Sequence, residues 1–161
     1  MSNLTGADDD YRNNVGIVII NTERKILAGE AFYYPGEWLM PQGGIAIGET
    51  PEEALERELL EETGLTLSDV PIVREHNEWI CYLFPKPQIK DDRMYIGQRQ
   101  KWFLLHYNGP LPDANRLLEK EFSSFSWVSP CWLLDRTPGF NVPVYTQVFR
   151  NFLFKPDLLR R

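Results

Sequence analysis

The sequence predicts an α/β (α+β) fold in which a central mixed sheet is sandwiched between helices as α/β/α layers. Three observations support this prediction. Strand-like apolar segments alternate with helical ones, one segment carries capping signals at both ends, and another near the C terminus has apolar residues at helical spacing. With 161 residues, the chain is long enough for one domain with a substantial core. We expect a single domain over residues 11–155, between tails at 1–10 and 156–161.

The predicted strands follow from runs of apolar residues bounded by turn residues. The segment NVGIVIIN indicates a buried strand, and Asn21 to Arg24 the turn after it. Two segments are predicted to be loops, YYPGEWLMPQGG and the polar PKPQIKDDRMYIG at residues 85–97. The predicted strands cover residues 14–21, 25–32, 98–107 and 123–128, with strand-like pieces within 70–84.

Capping residues delimit the predicted central helix. Thr50 is a favourable N-cap, Pro51 suits the first helical position and Gly64 suits a left-handed C-cap. We therefore expect a helix that begins at about Pro51 and ends just before Gly64. The other predicted helices are a short one over residues 129–135 and a longer one over residues 142–154, whose apolar side chains recur at helical spacing.

Three glutamates of the central helix are predicted to form a cation site. Glu58, Glu61 and Glu62 are three and four residues apart, so a helix with 3.6 residues per turn brings their carboxylates to one flank. Like-charged pairs at this spacing cost roughly 0.2–0.5 kcal/mol each. A divalent cation that prefers oxygen ligands, Mg²⁺ or Mn²⁺, would offset that repulsion. The alternative from the residues alone is a solvated acidic face, which is the usual role of a glutamate-rich helix.

The spacing around these glutamates is that of a known motif. The constrained positions are Gly43, Glu49, Arg57-Glu58-Leu59, Glu61-Glu62 and Gly64-Leu65. At every defined position this stretch resembles the signature box of the Nudix hydrolases. The resemblance implies a Nudix-type α/β/α sandwich with a loop–helix–loop catalytic motif that binds divalent metal and a diphosphate.

The resemblance also implies a set of metal ligands. Glu58, Glu61 and Glu62 would bind two or more Mg²⁺ or Mn²⁺ ions together with substrate, and the carbonyl of Gly43 would add a ligand. Glu121 matches a glutamate outside the box that faces the metal cluster. It would bind metal or take the proton from the attacking water.

Arg57 and Glu49 have supporting roles in this resemblance. Arg57 would hold the catalytic glutamates in place by ion pairing. Its spacing alone fits an ordinary i,i+4 pair with Glu53 or Glu61 equally well. Glu49 would either orient the loop or touch metal through water.

Flanking segments resemble one branch of the family, the bacterial RNA 5′-pyrophosphohydrolases and the similar plant-type diadenosine tetraphosphate hydrolases. With the box, this resemblance covers residues 11 to 152. The segments are Tyr11-Arg12 with Asn14-Val15-Gly16, Trp38 before Met40-Pro41-Gln42-Gly43-Gly44, GQRQKWFL at residues 97–104, and the weaker Glu121-Phe122 before Ser126-Trp127-Val128.

The branch implies which residues bind substrate. Arg12 can fork onto phosphate oxygens, and Gly44 lets backbone amides approach an anion. Gln98 and Gln100 are expected to share one sheet face and donate to phosphates, whereas Lys101 lies on the other face, where the alternative is a solvent-facing charge. The implied substrate-binding set is Arg12, Gln42, Gly44, Tyr82, Gln98, Gln100, Lys101 and Phe140.

Two aromatic residues match the positions that sandwich a purine in the family. These are Tyr82 and Phe140, and stacking of a base on an aromatic ring contributes roughly 1–3 kcal/mol. From the residues alone, the alternative is core packing for Tyr82 and a loop anchor for Phe140.

Four positions depart from the branch pattern. Leu39 stands where glutamine is frequent, and Asn141 stands where lysine is frequent. Gly29-Glu30-Ala31 replaces a basic pair of the bacterial RNA-directed members, and Lys120 replaces a proline. The first three reduce the expected contacts to an RNA base, while the metal-binding positions are intact.

The sequence thus predicts a metal-dependent hydrolase of nucleoside polyphosphates. The expected reaction removes pyrophosphate from the 5′-triphosphate end of RNA. The alternative is asymmetric hydrolysis of diadenosine tetraphosphate to ATP and AMP, and a more distant one is a non-catalytic module that binds nucleotide ends.

Charge and composition exclude other classes. A net charge of −6 argues against sequence-blind binding of duplex DNA, and no apolar run is long enough for a membrane span. Cys81 and Cys131 lack metal spacing and fit a reduced, cytoplasmic protein. The oligomeric state is left open.

Overall fold

The computed structural model describes residues 8–154, which form an eight-stranded sheet covered by helices. The strands are β1 (Tyr11–Ile20), β2 (Ile26–Ala31), β3 (Trp38–Leu39), β4 (Gln42–Gly44), β5 (Ile72–Glu75), β6 (Ile80–Lys90), β7 (Arg93–His106) and β8 (Phe122–Val128). The α-helices are α1 (Pro51–Thr63), α2 (Pro130–Leu134) and α3 (Val142–Leu153).

A parallel pair, β1 and β7, forms the centre of the sheet. Its register runs without interruption from Tyr11 opposite Gly97 to Ile20 opposite His106. β2 and β4 pair with β1, and β5 and β6 pair with β7, all antiparallel. The prediction of a mixed sheet is therefore confirmed.

Alternation of side chains along the central strands produces two buried cores. On one face Ile17 and Ile19 pack with Leu59 of α1. On the other face Val18 and Trp102 pack with residues of α2 and α3. These layers confirm the predicted α/β/α sandwich.

The face that carries Trp102 changes character along the strands. Towards the start of β1 and β7 it bears polar residues instead of apolar ones. In the register, Arg12 lies opposite Gln98 and Asn14 opposite Gln100. One sheet face is therefore core at one end and polar at the other, and this polar end positions the site described below.

The caps predicted for α1 are confirmed. The Thr50 hydroxyl accepts a hydrogen bond from the Glu53 amide at 3.1 Å. Gly64 ends the helix in the left-handed conformation, at φ 75°, and its amide donates to the carbonyl of Leu60. The helix runs from Pro51 to Thr63, as expected.

The predicted long loop at residues 85–97 is wrong. These residues complete β6 and begin β7, and the two strands form a hairpin with Lys90 opposite Arg93. Asp91 and Asp92 make the turn with φ of 52° and 61°. Aspartate tolerates this left-handed region, so the turn forms without the glycine that usually signals it.

Smaller differences concern the ends of elements. The loop YYPGEWLMPQGG contains the short strands β3 and β4, and β1 begins at Tyr11 rather than Asn14. Residues 8–10, predicted as part of a tail, form a single 3₁₀ turn. The rest of the predicted tails, and residue 155, lie outside the described residues.

Two further observations bear on the expectations from composition. Among the described residues, no helix is both long enough and apolar enough to cross a membrane. Neither Cys81 nor Cys131 forms a disulfide bond within the part of the chain that the structure describes.

Candidate active site

A cleft of about 390 Å³ opens where the polar end of the sheet meets α1. Its walls come from β1, β4, β6, β7 and α1, from the segment before β8 and from the turn before α3. Most of the residues implied by the resemblance line it. These are Arg12, Gln42, Gly43, Gly44, Glu58, Glu61, Glu62, Tyr82, Gln98, Glu121 and Phe140.

Arg57 fastens the loop before α1 to glutamates of that helix. Its Nε and Nη2 bind the two carboxylate oxygens of Glu49 at 2.8 and 2.9 Å. Nη1 donates to Glu58 at 2.7 Å and to Glu61 at 3.2 Å, and Nη2 also donates to the carbonyl of Gly44 at 2.8 Å. The guanidinium is thus the centre of an ionic network, more than the i,i+4 partner that spacing alone suggested.

Glu49 orients the loop in this structure. Besides Arg57, its carboxylate accepts a hydrogen bond from the Ala46 amide at 3.0 Å. The hydrogen bond from Arg57 lowers the pKa of Glu49 to about 2. Glu49 is therefore ionised at neutral pH and clamps the loop to the helix.

The two most buried glutamates of α1 are held differently. Glu62 is 6% exposed, accepts a hydrogen bond from the Gln42 amide at 2.9 Å, and has no cationic partner among residues 8–154. Burial, with the nearby charge of Glu58 adding to it, raises the pKa of Glu62 well above its usual range. Burial also raises the pKa of Glu58, against the opposing effect of Arg57.

Two glycines let the backbone of β4 approach charged groups. A Cβ at Gly43 would overlap the carboxylate of Glu58, and one at Gly44 would overlap the guanidinium of Arg12. Both positions therefore require glycine for close contact rather than for a special φ. The main chain of β4 therefore passes between the acidic helix α1 and the guanidinium of Arg12.

The donor set fits a hard divalent cation. Three carboxylates converge on the cleft beside the exposed backbone of Gly43, and the buried Glu62 lacks a compensating charge. Oxygen donors of this kind suit Mg²⁺ or Mn²⁺. As the side chains of residues 8–154 stand, no group of three acidic, His or Cys residues is arranged to hold a metal ion. A cation would have to compete with Arg57 for Glu58.

Arg12 provides a free positive charge in the cleft. Among the described residues its guanidinium has no hydrogen-bond or ion-pair partner, and it lies against Gly44. An unpaired, half-buried guanidinium is suited to bidentate binding of phosphate.

Gln98 faces the same cleft. Its Nε2 donates to the Tyr82 hydroxyl at 2.6 Å, and its buried Oε1 has no hydrogen-bond partner within residues 8–154. Because a hydroxyl both donates and accepts, turning the amide over would preserve the contact with Tyr82 and free a donor. Gln98 can therefore offer either an acceptor or a donor to a ligand.

Two predicted substrate-binding residues do not agree with the structure. Gln100 is 1% exposed, and its amide bonds to Asn14, Gln42 and Trp102 at 2.8–3.2 Å, so it supports Gln42 from behind the cleft. The Lys101 ammonium lies on the opposite face, 2.8 Å from the Glu75 carboxylate. The cause is the alternation of side chains, which no twist or bulge interrupts in this part of β7.

Tyr82 and Phe140 face each other across one end of the cleft. Their rings are nearly parallel, with an interplanar angle of 17° and centroids 6.1 Å apart. A base between them needs two contacts of about 3.5–4.0 Å each, so the rings must separate by about 1–2 Å. Phe140 lies on a short 3₁₀ turn and is 40% exposed, which leaves it room to move.

Glu121, which the resemblance implied, lies at the exposed rim of the cleft. The structure adds residues that the sequence did not single out, and Glu119 beside Glu121 is one of them. Tyr34 and Glu37 line the cleft from the loop after β2. Asn14 also lines the cleft, although the sequence analysis named it only as part of a motif. Its polar side chain in an otherwise apolar strand is the feature from which a role in the site could have been predicted.

Comparisons with known proteins identify the family. The family model of the NUDIX domain matches residues 10–148. An RNA pyrophosphohydrolase of Proteus mirabilis (strain HI4320) is 40% identical over 149 residues, which are 90% of this chain and 84% of that protein. Nudix hydrolase 26, chloroplastic, of Arabidopsis thaliana is 38% identical over 160 residues, covering 94% of this chain and 73% of the relative.

A solved structure shares the fold. It is the dihydroneopterin triphosphate pyrophosphohydrolase of E. coli, with a TM-score of 0.65 and 17% identity over 88% of this chain and 98% of its own. At that identity the likeness concerns the fold alone. By its matched domain and its relatives, the chain belongs to the Nudix family of hydrolases and is a pyrophosphohydrolase.

Proposed function

We propose that this protein hydrolyses the 5′-triphosphate end of RNA, releasing pyrophosphate and leaving a 5′-monophosphate. The observation that carries the proposal is the unpaired guanidinium of Arg12 between a flank of three carboxylates and a parallel aromatic pair. Phosphates, cations and a base each have a suitable surface in one cleft. Relatives named RNA pyrophosphohydrolase, at about 40% identity, support RNA as the substrate.

The phosphate chain would lie along β4. Arg12 forks onto the phosphates, and the backbone at Gly44 and the amide of Gln98 supply neutral hydrogen bonds. Because Arg12 has no competing partner among the described residues, its full charge is available to the leaving phosphates. Gln42, on β4, would also contact the phosphates. Its side-chain oxygen accepts a hydrogen bond from the Gln100 amide at 2.8 Å.

A carboxylate must accept the proton of the attacking water. Glu62 and Glu121 are the two candidates, one buried and the other at the rim. A general base works best when its pKa is close to the working pH, and burial moves the pKa of Glu62 in that direction. Arg57 keeps the neighbouring carboxylates in position but does not touch substrate.

Glu58, Glu61 and Glu62, with the Gly43 carbonyl and Glu121, would hold two or more Mg²⁺ or Mn²⁺ ions. When bound, such ions neutralise phosphate charge and lower the pKa of a bound water. We expect activity to disappear in chelator and to return with Mg²⁺. Binding has an independent readout, because Mg²⁺ should raise the melting temperature of the wild type more than that of Glu62→Gln.

The test is product analysis with matched variants. With the wild type, RNA with a 5′-triphosphate should give monophosphate RNA and pyrophosphate. Glu58→Gln should lower turnover by 100-fold or more, because the loss of one catalytic interaction typically costs about 2.7–4 kcal/mol. Glu56→Gln changes an exposed glutamate of the same helix and should keep wild-type turnover. Near-normal turnover by Glu58→Gln would contradict the proposal.

A second candidate uses the same cleft. Diadenosine tetraphosphate also combines a phosphate chain with a purine, and the lack of positive charge at Gly29-Glu30-Ala31 favours a substrate that needs fewer RNA contacts. Production of ATP and AMP at a rate far above RNA turnover would favour it. A chain that binds both ligands and cleaves neither would be a binding module.

The cytoplasmic location remains a prediction.

A further inference from the structure

We propose that three consecutive aromatic residues after β2, here called the aromatic loop (Phe32, Tyr33 and Tyr34), stack the bases of single-stranded RNA beyond its terminal nucleotide. The proposal rests on the proposed function, since it concerns the strand that leaves the cleft. It adds a second contact zone to a site that otherwise holds one nucleotide.

The exposure of the aromatic loop is the first observation. Phe32 is 43% exposed, Tyr33 76% and Tyr34 66%. Three adjacent aromatic side chains in solvent lose the favourable free energy of burial, and such patches mark binding surfaces. Tyr34 also lines the cleft, so the patch is continuous with the site.

Hydrogen bonds fix the ends of the loop, which is the second observation. The Phe32 amide donates to the carbonyl of Glu121 at 2.9 Å, and the Ala31 amide to that of Glu37 at 2.8 Å. The Glu30 carboxylate accepts from the Gly36 amide at 2.8 Å, and Gly36 turns the chain at φ 92°. A surface held in this way loses little conformational entropy when it binds a ligand.

These contacts also give Glu30 a role, because its carboxylate closes the turn that presents the aromatic rings. Phe32 supports Tyr33 edge-on, with centroids 5.0 Å apart and planes at 75°. The aromatic surface is therefore held both by the turn and by ring packing.

The chemistry selects nucleobases as the occupant. Every base has an apolar face, so stacking on tyrosine tolerates any sequence. The acidic surroundings, with Glu37 beside Tyr34 and a net charge of −6, offer little attraction to the RNA backbone. Tyr34 lines the same cleft as Tyr82 and Phe140, so the aromatic loop is within reach of a strand whose terminal base lies between those two rings.

The experiment measures how activity depends on RNA length. For 5′-triphosphorylated substrates of one and six nucleotides, the ratio of the two kcat/KM values is determined for each protein. We expect a wild-type ratio of roughly 5 to 150, the equivalent of one stacked base. The double variant Tyr33→Ser/Tyr34→Ser should bring the ratio close to 1, while Tyr33→Phe/Tyr34→Phe should retain it.

The matched control is Phe154→Ser. Phe154 is also an exposed aromatic residue, at 59% exposure, but it does not line the cleft, so the variant should keep the wild-type ratio. Raising the salt from 50 to 200 mM should change the ratio little, because stacking involves few phosphate contacts. A wild-type ratio near 1, a serine variant with the wild-type ratio, or a ratio that collapses with salt would each overturn the proposal.

Binding of a six-nucleotide RNA 5′-monophosphate separates this proposal from the proposed function. If RNA is not hydrolysed but the serine variant binds this probe at least fivefold more weakly, the proposed function fails and the stacking surface stands. If RNA is hydrolysed and the probe binds both proteins equally, only the stacking surface fails. Self-association of the wild type that the serine variant abolishes, with unchanged RNA binding, would assign the patch to a protein interface and overturn it.

Discussion

The absence of a Cβ atom at position 43 determines where the carboxylate of Glu58 can lie. The backbone of Gly43 lies so close to the Glu58 carboxylate that a Cβ would occupy the same space. The side chain of Glu58 has little freedom to yield, because Arg57 holds it at 2.7 Å and it is buried. A methyl group is therefore enough to displace a carboxylate that we assign to metal binding.

Gly43→Ala should reduce turnover by at least 100-fold while the protein still folds. The physical reason is displacement of Glu58 rather than loss of backbone freedom, since no positive φ is involved at this position. Gly139→Ala is the control, because nothing lies within 4 Å of its Cβ position. Circular dichroism and turnover together test the prediction, which a fully active Gly43→Ala enzyme would contradict.

At the scale of elements, an ion pair joins the loop before α1 to the helix itself. Both carboxylate oxygens of Glu49 bind Arg57, and the same arginine reaches Glu58 and Glu61. The pKa of Glu49, lowered to about 2, means that the folded state favours its ionised form. The stability it contributes is complete above its unfolded pKa of about 4.5 and is lost as pH falls through about 2.

Glu49→Gln should therefore cost about 1.5–3 kcal/mol of unfolding free energy at neutral pH, the range for a hydrogen-bonded charge. The difference from the wild type should shrink as pH falls from about 4.5 towards 2, since the wild-type carboxylate then becomes protonated. Urea unfolding at several pH values measures this, with Glu56→Gln expected to stay within about 0.5 kcal/mol of the wild type at neutral pH. A difference that is constant down to pH 2 would show that the ion pair is not its cause.

Elements with local signals could be predicted from the sequence, and those that depend on distant partners could not. α1 has caps at both ends, so its bounds followed directly. The β6–β7 hairpin was missed because Asp91-Asp92 lacks the glycine that announces such turns. The alternation of side chains correctly placed Gln98 and Lys101 on opposite faces. Only the tertiary structure shows that Lys101 forms an ion pair with Glu75 and that Gln100 donates a hydrogen bond to Gln42.

For the whole molecule, the sheet divides the interior into two cores. One lies under α1 and the other under α2 and α3. Each contains residues that are completely excluded from solvent. Because the central strands contribute side chains to both, the two cores share a backbone but few side-chain contacts.

Ile19→Val and Ile80→Val test this division, since one residue belongs to each core. Each should lower the unfolding free energy by about 0.5–1.5 kcal/mol, and the double variant by their sum within about 0.5 kcal/mol. The pair Tyr145→Phe and Phe149→Leu, whose rings lie 6.1 Å apart in one core, should deviate further from additivity. Strong coupling between the two isoleucines would contradict the division.

The uninterrupted parallel ladder between β1 and β7 has a consequence for how the chain can vary in length. Inserting or deleting one residue within either strand would exchange the side chains of the two sheet faces from that point onward. It would move Arg12 away from Gln98, and it would turn the residues of each core towards the opposite face of the sheet. Catalysis and folding would be lost in the same event. Length variants tolerated by this protein should therefore avoid both central strands and concentrate at the tip of the β6–β7 hairpin, where an added residue disturbs neither.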